Sequence, residues 1–279
     1  MKLLFFGDCM FGRDNHPFIQ DPFINVKHLL KKSTYIFFNL ETNVSSPPLD
    51  ESFRVNKHFN YQSNGGQLLS LKKHTKNNVF VSIANNHSLD YGKKGHEETK
   101  KFLKANKFLC NSKNKVSHKN IIFLNASDHC GCYDKELWSK HIMIIDYNDL
   151  DGIYAKIKNI RKNKNTILIF SIHWGSNWVD GEMPDHIKDF GRGLIDHGVD
   201  IVYGHSAHHI PKTPVEEYKG GLIIYGLGDF INDYSVDHKY KSDHSLMCSI
   251  QISKSSLSYE FIPVHRKFVE EGGSIPFLQ

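Results

Sequence analysis

Cysteines are few in this sequence, and none stands in a spacing typical of a zinc or redox motif. The five cysteines are an odd number, and only Cys130-Gly-Cys132 brings two of them close together. Neither a disulfide framework nor a zinc finger is indicated, so we interpret this pair as free thiols in a loop. Long apolar runs are also missing, since stretches such as Ile167 to Phe170 are far shorter than the roughly 20 residues of a membrane span.

Strong charge of either sign is missing as well. The 35 Lys and Arg face 30 Asp and Glu, and no run of five or six like charges occurs, so we expect neither nucleic acid nor a membrane surface as partner. The apolar start, Met1 to Phe6, is too short for a secretory signal. We therefore expect a cytoplasmic protein without a membrane anchor. Neither GxxxxGK[ST] nor a helix-opening GxGxxG is present, which disfavours a metal-free nucleotide-binding protein.

The 279 residues are expected to form one domain, 1–279. Short apolar runs of strand length alternate with helix-like stretches, which predicts an α/β fold with largely parallel sheets. The predicted strands are Leu3 to Phe6, Tyr35 to Phe38, Val79 to Ile83, Ile121 to Leu124, Ile142 to Ile145, Ile167 to Ile172, Ile201 to Tyr203, Leu222 to Tyr225, Leu246 to Ile252 and Leu257 to Ile262. The last two predict a C-terminal antiparallel hairpin. The predicted helices are Asp21 to Lys32, Gly66 to Lys76, Lys93 to Asn106, Leu150 to Lys162 and Pro184 to His197, and the predicted loops are Lys113 to Asn120 and Tyr234 to Asp243.

Polar side chains directly follow six of the predicted strands. These residues are Asp8, Glu41, Asn85 to His87, His173, His205 with His208 and His209, and Asp229. In an open α/β sheet, ligands bind outside the carboxyl ends of the strands, so these side chains are predicted to converge on one crevice. Each also has a structural interpretation, as a cap, a turn residue or a packed core histidine. One shared site explains six polar strand ends better than six separate accidents.

The mixture of carboxylates, carboxamides and imidazoles favours particular ions. Neutral histidines together with oxygen donors suit Mn, Zn, Fe or Ni better than Ca or Mg, which prefer oxygen alone. Six protein donors would suffice for one or two such ions. A pair of these ions would lower the pKa of a bound water enough to activate it at neutral pH.

Six motifs, taken in order, give the strand-end pattern a family resemblance. They are Gly7-Asp8-Cys9-Met10, Asn39-Leu40-Glu41, Ala84-Asn85-Asn86-His87 with Asp90-Tyr91-Gly92, His173-Trp174-Gly175, Gly204-His205-Ser206-Ala207-His208 and Gly226-Leu227-Gly228-Asp229-Phe230. Together they resemble the CapA family, which is linked to poly-γ-glutamate capsule synthesis and is similar to the calcineurin-like metallophosphoesterases. The match covers positions 3 to about 230.

The resemblance implies a four-layer α/β/β/α sandwich of the metallophosphoesterase-like type, with metal ions at the strand ends. The ligands it implies are Asp8 and His208 for the first ion, Glu41 as the bridge, and Asn86, His173 and His205 for the second. His87 would donate a proton to the leaving group, with Asp90 orienting its imidazole. Met10 stands where phosphoesterases have a histidine, and the spacing between His205 and His208 is one residue longer than theirs. A centre with one metal ion therefore remains an alternative to a centre with two.

The leading hypothesis is a metal-dependent hydrolase that acts on a phosphoester or on a γ-glutamyl or related amide bond. An anionic small molecule or a poly-γ-glutamate-like substrate would contact cationic and stacking side chains, for which the candidates are Arg13, Trp174, Trp178, His209 and Lys212. Taken singly, each of these is better explained as an ordinary surface or packing residue. The alternative is a non-catalytic, metal-containing protein that binds polyglutamate or a synthase partner, in which the metal site would be closed by protein ligands.

Overall fold

The computed structural model describes residues 1–12, 21–113, 115–129, 134–161, 165–253, 256–268 and 274–279. Its strands are β1 (Lys2–Met10), β2 (Tyr35–Leu40), β3 (Asn43–Val44), β4 (Gln62–Ser63), β5 (Asn78–Ser82), β6 (Leu109–Asn111), β7 (Val116–His118), β8 (Ile121–Ser127), β9 (Ile167–His173), β10 (Ile201–His205), β11 (Val215–Tyr218), β12 (Gly221–Ile224), β13 (Asp229–Asn232), β14 (His244–Ile252), β15 (Leu257–Phe268) and β16 (Ser274–Leu278). Its α-helices are α1 (Lys27–Lys32), α2 (Gly66–His74), α3 (Gly92–Ala105), α4 (Lys135–His141), α5 (Asp151–Ile160) and α6 (Asp185–Asp196), with short 3₁₀ turns at Ile24–Val26 and Glu51–Phe53.

Two large sheets carry the fold. The first has the order β16-β15-β14-β1-β2-β5-β6, with β13 also paired to β1, and the second has the order β11-β12-β10-β9-β8-β7. Strands β1, β2, β5 and β6 run parallel, as do β8, β9, β10 and β12. The C-terminal strands β14, β15 and β16 are antiparallel, which confirms the predicted hairpin and extends it by one strand. The predicted α/β class is confirmed.

Alternation along the central strands buries both faces of each sheet. In β1, Phe5 joins an apolar cluster that also contains Phe123 and Ile169 of the second sheet. Its neighbours Leu4 and Phe6 face the opposite way, into a cluster that includes residues of α2. A third cluster joins α5 and α6 to the second sheet. The two sheets therefore face each other and helices cover their outer sides, while the complete four-layer order stays a prediction.

Two sequence predictions about local structure are wrong. Ile142 to Ile145 does not form a strand: among the described residues, its one ladder pairing is an isolated bridge between Ile144 and Ser127, at the end of β8. Lys113 to Asn120 is correspondingly not a simple loop, since it contains β7. The helix α4 and several strands, among them β6, β11, β13 and β16, were not predicted. The predicted glycine stop of α6 is confirmed, because Gly198 adopts a φ of 108° just beyond the helix.

A close approach of two backbone segments fixes the first strand end. A Cβ on Gly7 would overlap the carbonyl oxygen of Gly228, so only glycine fits there. The contact allows β13 to run beside β1, with Asp229 opposite Asp8 in the ladder. Two carboxylates are thereby placed side by side.

Among the described residues, no helix combines the length and the apolar character needed to cross a bilayer.

Candidate metal centre

Two strand ends of the first sheet and one of the second bring two buried carboxylates beside an imidazole. Asp8 lies near the end of β1, Glu41 follows β2, and His208 follows β10; each is less than a tenth exposed. One donor atom from each of the three lies within 4.8 Å of the others. These residues follow three separate strands in the sequence, and the structure brings them together.

Asn39 holds the two carboxylates in place. Its side-chain amide donates to Oδ1 of Asp8 at 2.9 Å and to Oε2 of Glu41 at 3.3 Å. Its own oxygen accepts from Nδ2 of Asn85 at 2.9 Å. The backbone amide of Ser206 donates to Oδ2 of Asp8 at 3.0 Å. These contacts orient the carboxylates from behind and fix their positions.

The second sheet supplies two imidazoles from neighbouring strand ends. His173 and His205 are register partners in β9 and β10, and their Nδ1 atoms lie 3.1 Å apart. Nε2 of His205 is 2.8 Å from the hydroxyl of Ser171, and its Nδ1 is 3.9 Å from Oδ1 of Asp8. Both ring nitrogens of His205 thus already have protein partners, and its role as a ligand stays a prediction. His173 instead keeps Nε2 directed toward the centre, 3.9 Å from Oε1 of Glu41.

Two buried donor atoms at this point, Oε1 of Glu41 and Nε2 of His173, find no hydrogen-bond partner among the described residues. Oδ1 of Asn86, the residue before His87, is a third buried atom of this kind. A buried polar atom without a partner costs about 1–3 kcal/mol, so two that face each other require an explanation. Donors that bind one transition ion at about 2.0–2.2 Å lie roughly 3–4 Å from one another, and the 3.9 Å between Glu41 and His173 agrees with that spacing. The residues present fit a metal ion, with Asp8, Glu41, His173 and His208 as donors, while Asn86 stays a predicted donor.

The pKa values of the buried carboxyl groups also indicate a place for a cation. The pKa of Asp8 is raised to about 7, chiefly by burial; His208 opposes the shift and the nearby carboxyl of Asp229 adds to it. Burial likewise raises the pKa of Glu41 well above its ordinary value, and Asp8 adds to the effect. His208 shows the opposite balance: burial lowers its pKa, but Asp229, Glu41 and Asp8 outweigh burial and raise it to about 10. A cation at this point would stabilise the charged carboxylates.

Asp229, one of the polar residues predicted to follow a strand, contacts His208 on the side of the ring away from the centre. Its Oδ1 lies 2.8 Å from Nδ1 of His208, and its Oδ2 accepts from Nδ2 of Asn232 at 2.8 Å. The guanidinium of Arg266, which is also buried, approaches Oδ2 at 3.9 Å. Asp229 thus fixes the ring of His208 so that its other nitrogen is left for the centre.

His87 lies beside the centre in a second cluster of polar groups. Its Nε2 is 4.0 Å from Oε1 of Glu41, and its Nδ1 is 2.6 Å from Oδ2 of Asp90 and 3.0 Å from Nζ of Lys57. Tyr61 stacks on the imidazole with ring centroids 4.0 Å apart. Burial lowers the pKa of His87 to about 4 although Asp90 opposes the shift, so the ring is neutral near pH 7.

The neighbours of His87 decide which nitrogen carries its proton. Nδ1 can donate to Asp90 or accept from Lys57, and these choices leave Nε2 respectively without and with a proton. Lys57 also donates to Oδ1 of Asp90 at 2.7 Å and to the carbonyl of Asn86 at 2.8 Å. Sequence reasoning missed Lys57 and Tyr61, because they lie in an irregular segment where no strand end or spacing marks them.

The predicted substrate contacts include one that the structure contradicts. The prediction for Trp174 is wrong: the residue is 1% exposed, and its indole donates to the carbonyl of Tyr225 at 3.0 Å. Strand alternation explains this, because Phe170 and Ile172 share its face toward α6. The neighbouring His173 points to the opposite side, where the centre lies.

The remaining substrate contacts stay predictions. His209 is buried, with Nε2 3.0 Å from the carbonyl of Val179, while Trp178 is 36% exposed and its ring lies 5.7 Å from that of His208. Lys212 is exposed and pairs with Glu182 at 3.1 Å. Arg13 and the Cys130-Gly-Cys132 pair lie outside the described residues.

A cavity of about 600 Å³ lies one strand away from the centre, at the end of β8. Asp128 and His129 line it together with Trp138 and Tyr147. The ring of His129 is 5.1 Å from that of His173, so the cavity adjoins the centre. Asp128 is fixed by the hydroxyl of Tyr147 at 2.9 Å and by the backbone amide of Gly175 at 2.8 Å.

Comparison with known sequences gives relatives in capsule biosynthesis. A family model described as "Bacterial capsule synthesis protein PGA_cap" matches residues 2–234. "PGA biosynthesis protein CapA" of Bacillus subtilis is 27% identical in an alignment 248 residues long that covers 82% of this chain and 62% of that protein. "Capsule biosynthesis protein CapA" of Bacillus anthracis is 29% identical in an alignment 254 residues long that covers 81% of this chain and 58% of that protein. A "probable polyglutamine synthesis accessory protein" of Mycobacterium tuberculosis is 47% identical over 73 residues, 26% of this chain and 18% of that protein. The chain thus spans less than two thirds of each of these three relatives, and the motif resemblance is confirmed.

Comparison with solved structures supports the fold. A structure described as a novel phosphatase of Mycoplasma pneumoniae has a TM-score of 0.57 at 12% identity, over 99% of this chain and 94% of that one. A hypothetical protein of Thermus thermophilus has a TM-score of 0.53 at 9% identity, over 94% of this chain and 99% of that one. At such identities the likeness concerns the fold alone.

Proposed function

The chain belongs to the PGA_cap family of bacterial capsule synthesis proteins, and we propose that it is a metal-dependent hydrolase of a phosphoester or of a γ-glutamyl or related amide bond. The observation that carries this proposal is the pair of buried donors on Glu41 and His173, which lie 3.9 Å apart and find no hydrogen-bond partner among the described residues. Oε1 of Glu41 also faces a neutral histidine, His87, that is supported by a carboxylate. A cation between the two donors would explain why they face each other without a hydrogen bond.

One or two divalent transition ions, Mn, Zn, Fe or Ni, would occupy the centre. When bound, such an ion polarises the substrate and lowers the pKa of a water molecule in the site. Asp8 and Glu41 would supply the negative charge that holds it, and Asn39 keeps their oxygens in position. His208 and His173 would supply nitrogen donors from the facing sheet. The donor set mixes oxygen and nitrogen, which favours these ions over Ca or Mg.

His87 would handle the proton of the leaving group. Its Nε2 faces Oε1 of Glu41 at 4.0 Å, which is too long for a direct hydrogen bond and leaves Nε2 available to a substrate atom. For this role the ring must first take up a second proton, so that Nδ1 donates to Asp90 and Nε2 carries the proton that passes to the departing oxygen or nitrogen. The transfer returns the ring to its neutral form, and Asp90 would keep it in place and stabilise the imidazolium.

The cavity beside His129 would hold the body of the substrate. Its lining combines Trp138 and Tyr147 with two carboxylates and one amino group, that of Lys135, which is the group that could meet an anionic part of an extended chain. Two relatives carry names from PGA or capsule biosynthesis, which supports a poly-γ-glutamate-like substrate. Trp174 takes no part in this contact, because it lies in the core.

The test is a substrate panel with protein stripped of metal and reloaded with Mn²⁺ or Zn²⁺. Phosphomonoesters, phosphodiesters, γ-glutamyl anilides and poly-γ-glutamate are incubated with the wild type, with His87→Ala, with Asp8→Asn and with the control His28→Ala, which changes an exposed residue. We expect metal-dependent turnover of one class, a loss of about 10²–10⁴-fold in His87→Ala with metal retained, and no change in the control.

The same panel separates hydrolysis from binding alone. Poly-γ-glutamate that binds at the centre without being cut, in protein with a full metal complement and with the other compounds also intact, would support the non-catalytic alternative. Turnover that is equal with and without metal, or equal in wild type and Asp8→Asn, would contradict the proposal.

A further inference from the structure

A second group of metal-binding side chains lies at the surface, and it shares no residue with the centre. Asp243, His244 and His265 each offer one donor atom, and the three atoms lie within 4.8 Å of one another. Oδ1 of Asp243 is 3.0 Å from Nδ1 of His244, and Oδ2 is 3.2 Å from Nε2 of His265. All three side chains are between a quarter and two fifths exposed, so an ion could reach them from solvent.

The backbone holds these donors in place before any ion arrives. His244 and His265 are cross-strand partners in β14 and β15, and their rings stack with centroids 4.6 Å apart. The carbonyl of Asp243 accepts from the backbone amide of Arg266 at 2.7 Å, which ties the third donor to the same strand. Donors fixed by a strand pair lose little freedom on binding, and this favours affinity.

We propose that Asp243, His244 and His265 form a second, solvent-accessible site for a divalent transition ion. Two imidazoles and one carboxylate are the donor set of open zinc sites, and they also suit Ni²⁺ and Cu²⁺.

An ion at this site would fasten the end of the segment 234–243 to β15. Arg266 follows His265 and points the other way, where its Nη2 donates to the carbonyl of Ser242 at 2.8 Å and approaches Asp229 at 3.9 Å. Asp229 in turn supports His208 of the centre. An ion at the surface site would therefore stabilise β15, the strand whose Arg266 approaches Asp229 behind His208. Metal binding at the surface site does not depend on the proposed hydrolysis.

The experiment is a calorimetric titration of metal-stripped protein with Zn²⁺, followed by electron paramagnetic resonance with Cu²⁺. We compare the wild type with His244→Gln/His265→Gln, with Asp8→Asn and with His28→Gln, which removes an exposed histidine outside both groups of donors. We expect the double variant to lose one equivalent of bound Zn²⁺ and that part of the Cu²⁺ signal which Asp8→Asn retains. His28→Gln should retain both, and Asp8→Asn should retain the surface equivalent and its Cu²⁺ signal.

The result that overturns the proposal is an unchanged Zn²⁺ stoichiometry and an unchanged Cu²⁺ spectrum in the double variant. Circular dichroism in chelator verifies that this variant is folded. If it is not, the single variant Asp243→Asn replaces it, with the same expected loss and the same refuting result. Because Asp8→Asn disables the centre and spares the surface site, failure of this proposal is distinguishable from failure of the proposed function.

Discussion

Replacement of Glu41 by glutamine changes a charge at the centre while keeping the shape of the side chain. Without metal, the wild type holds this carboxyl fully buried beside Asp8, and burial raises its pKa well above the ordinary value. A neutral amide removes that cost, and its oxygen can still accept from Asn39. We expect Glu41→Gln to be as stable as the wild type in chelator, or more stable.

With metal bound, we expect the wild type to be more stable than Glu41→Gln. An ion at 1,000 times its dissociation constant stabilises the native state by about 4.1 kcal/mol. With about 2.1 cal/mol/K of unfolding entropy per residue, the 279 residues give a denaturation entropy of roughly 0.6 kcal/mol/K. The wild type should therefore gain about 7 °C in Tm. If Glu41→Gln weakens binding about 100-fold, the same ion concentration contributes about 1.4 kcal/mol, or roughly 2 °C.

The assay is thermal unfolding, followed by circular dichroism, in chelator and in a Mn²⁺ or Zn²⁺ series. Glu97→Gln on the exposed face of α3 is the matched control and should gain the same roughly 7 °C as the wild type. The reasoning is refuted if Glu41→Gln gains as much from metal as the wild type does. A Tm that falls equally in chelator and in metal would assign Glu41 a structural role only.

Three further predictions concern residues around the centre and in the core. Burial lowers the pKa of His96 to about 3, so below about pH 6.5 the unfolded chain binds a proton that the native protein does not bind. The free energy of unfolding therefore falls by about 2 kcal/mol from pH 7.5 to pH 5 through this residue, and urea titrations should show a shallower pH dependence in His96→Gln. Gly7→Ala should lower the free energy of unfolding by more than about 3 kcal/mol, measured in urea, because its Cβ would clash with the Gly228 carbonyl. Asn39→Ala should weaken metal affinity about 10–100-fold in calorimetry, because both carboxylates lose their common donor.

Each of the three has its own contradicting result. An equal pH dependence in His96→Gln and the wild type would mean that His96 is protonated in the native state. A Gly7→Ala protein of normal stability would contradict the close approach of β1 and the chain before β13. Unchanged metal affinity in folded Asn39→Ala would show that Asn39 does not orient the carboxylates.

The sequence indicated the polar side chains that the structure brings together better than it indicated their surroundings. Asp8 and Glu41 belong to the ends of neighbouring parallel strands, which lie at one edge of the first sheet, whereas His173 comes from the second sheet. Strand alternation could also have corrected Trp174, because it shares its face with Phe170. Lys57 carried no such signal, since its position beside His87 depends on the path of an irregular segment.

The order of most strands along the chain and the residue types at their ends were determined by the sequence alone, because apolar runs of strand length and the polar residues after them are local features. Only the tertiary structure decided which side-chain nitrogen and oxygen atoms contact one another around the centre. Asn39 came to lie between two carboxylates, Asp229 behind His208, and Arg266 between the centre and the surface histidines. The centre joins residues as distant in sequence as Asp8 and Asp229, and its geometry depends on how two sheets pack face to face, which no local pattern encodes.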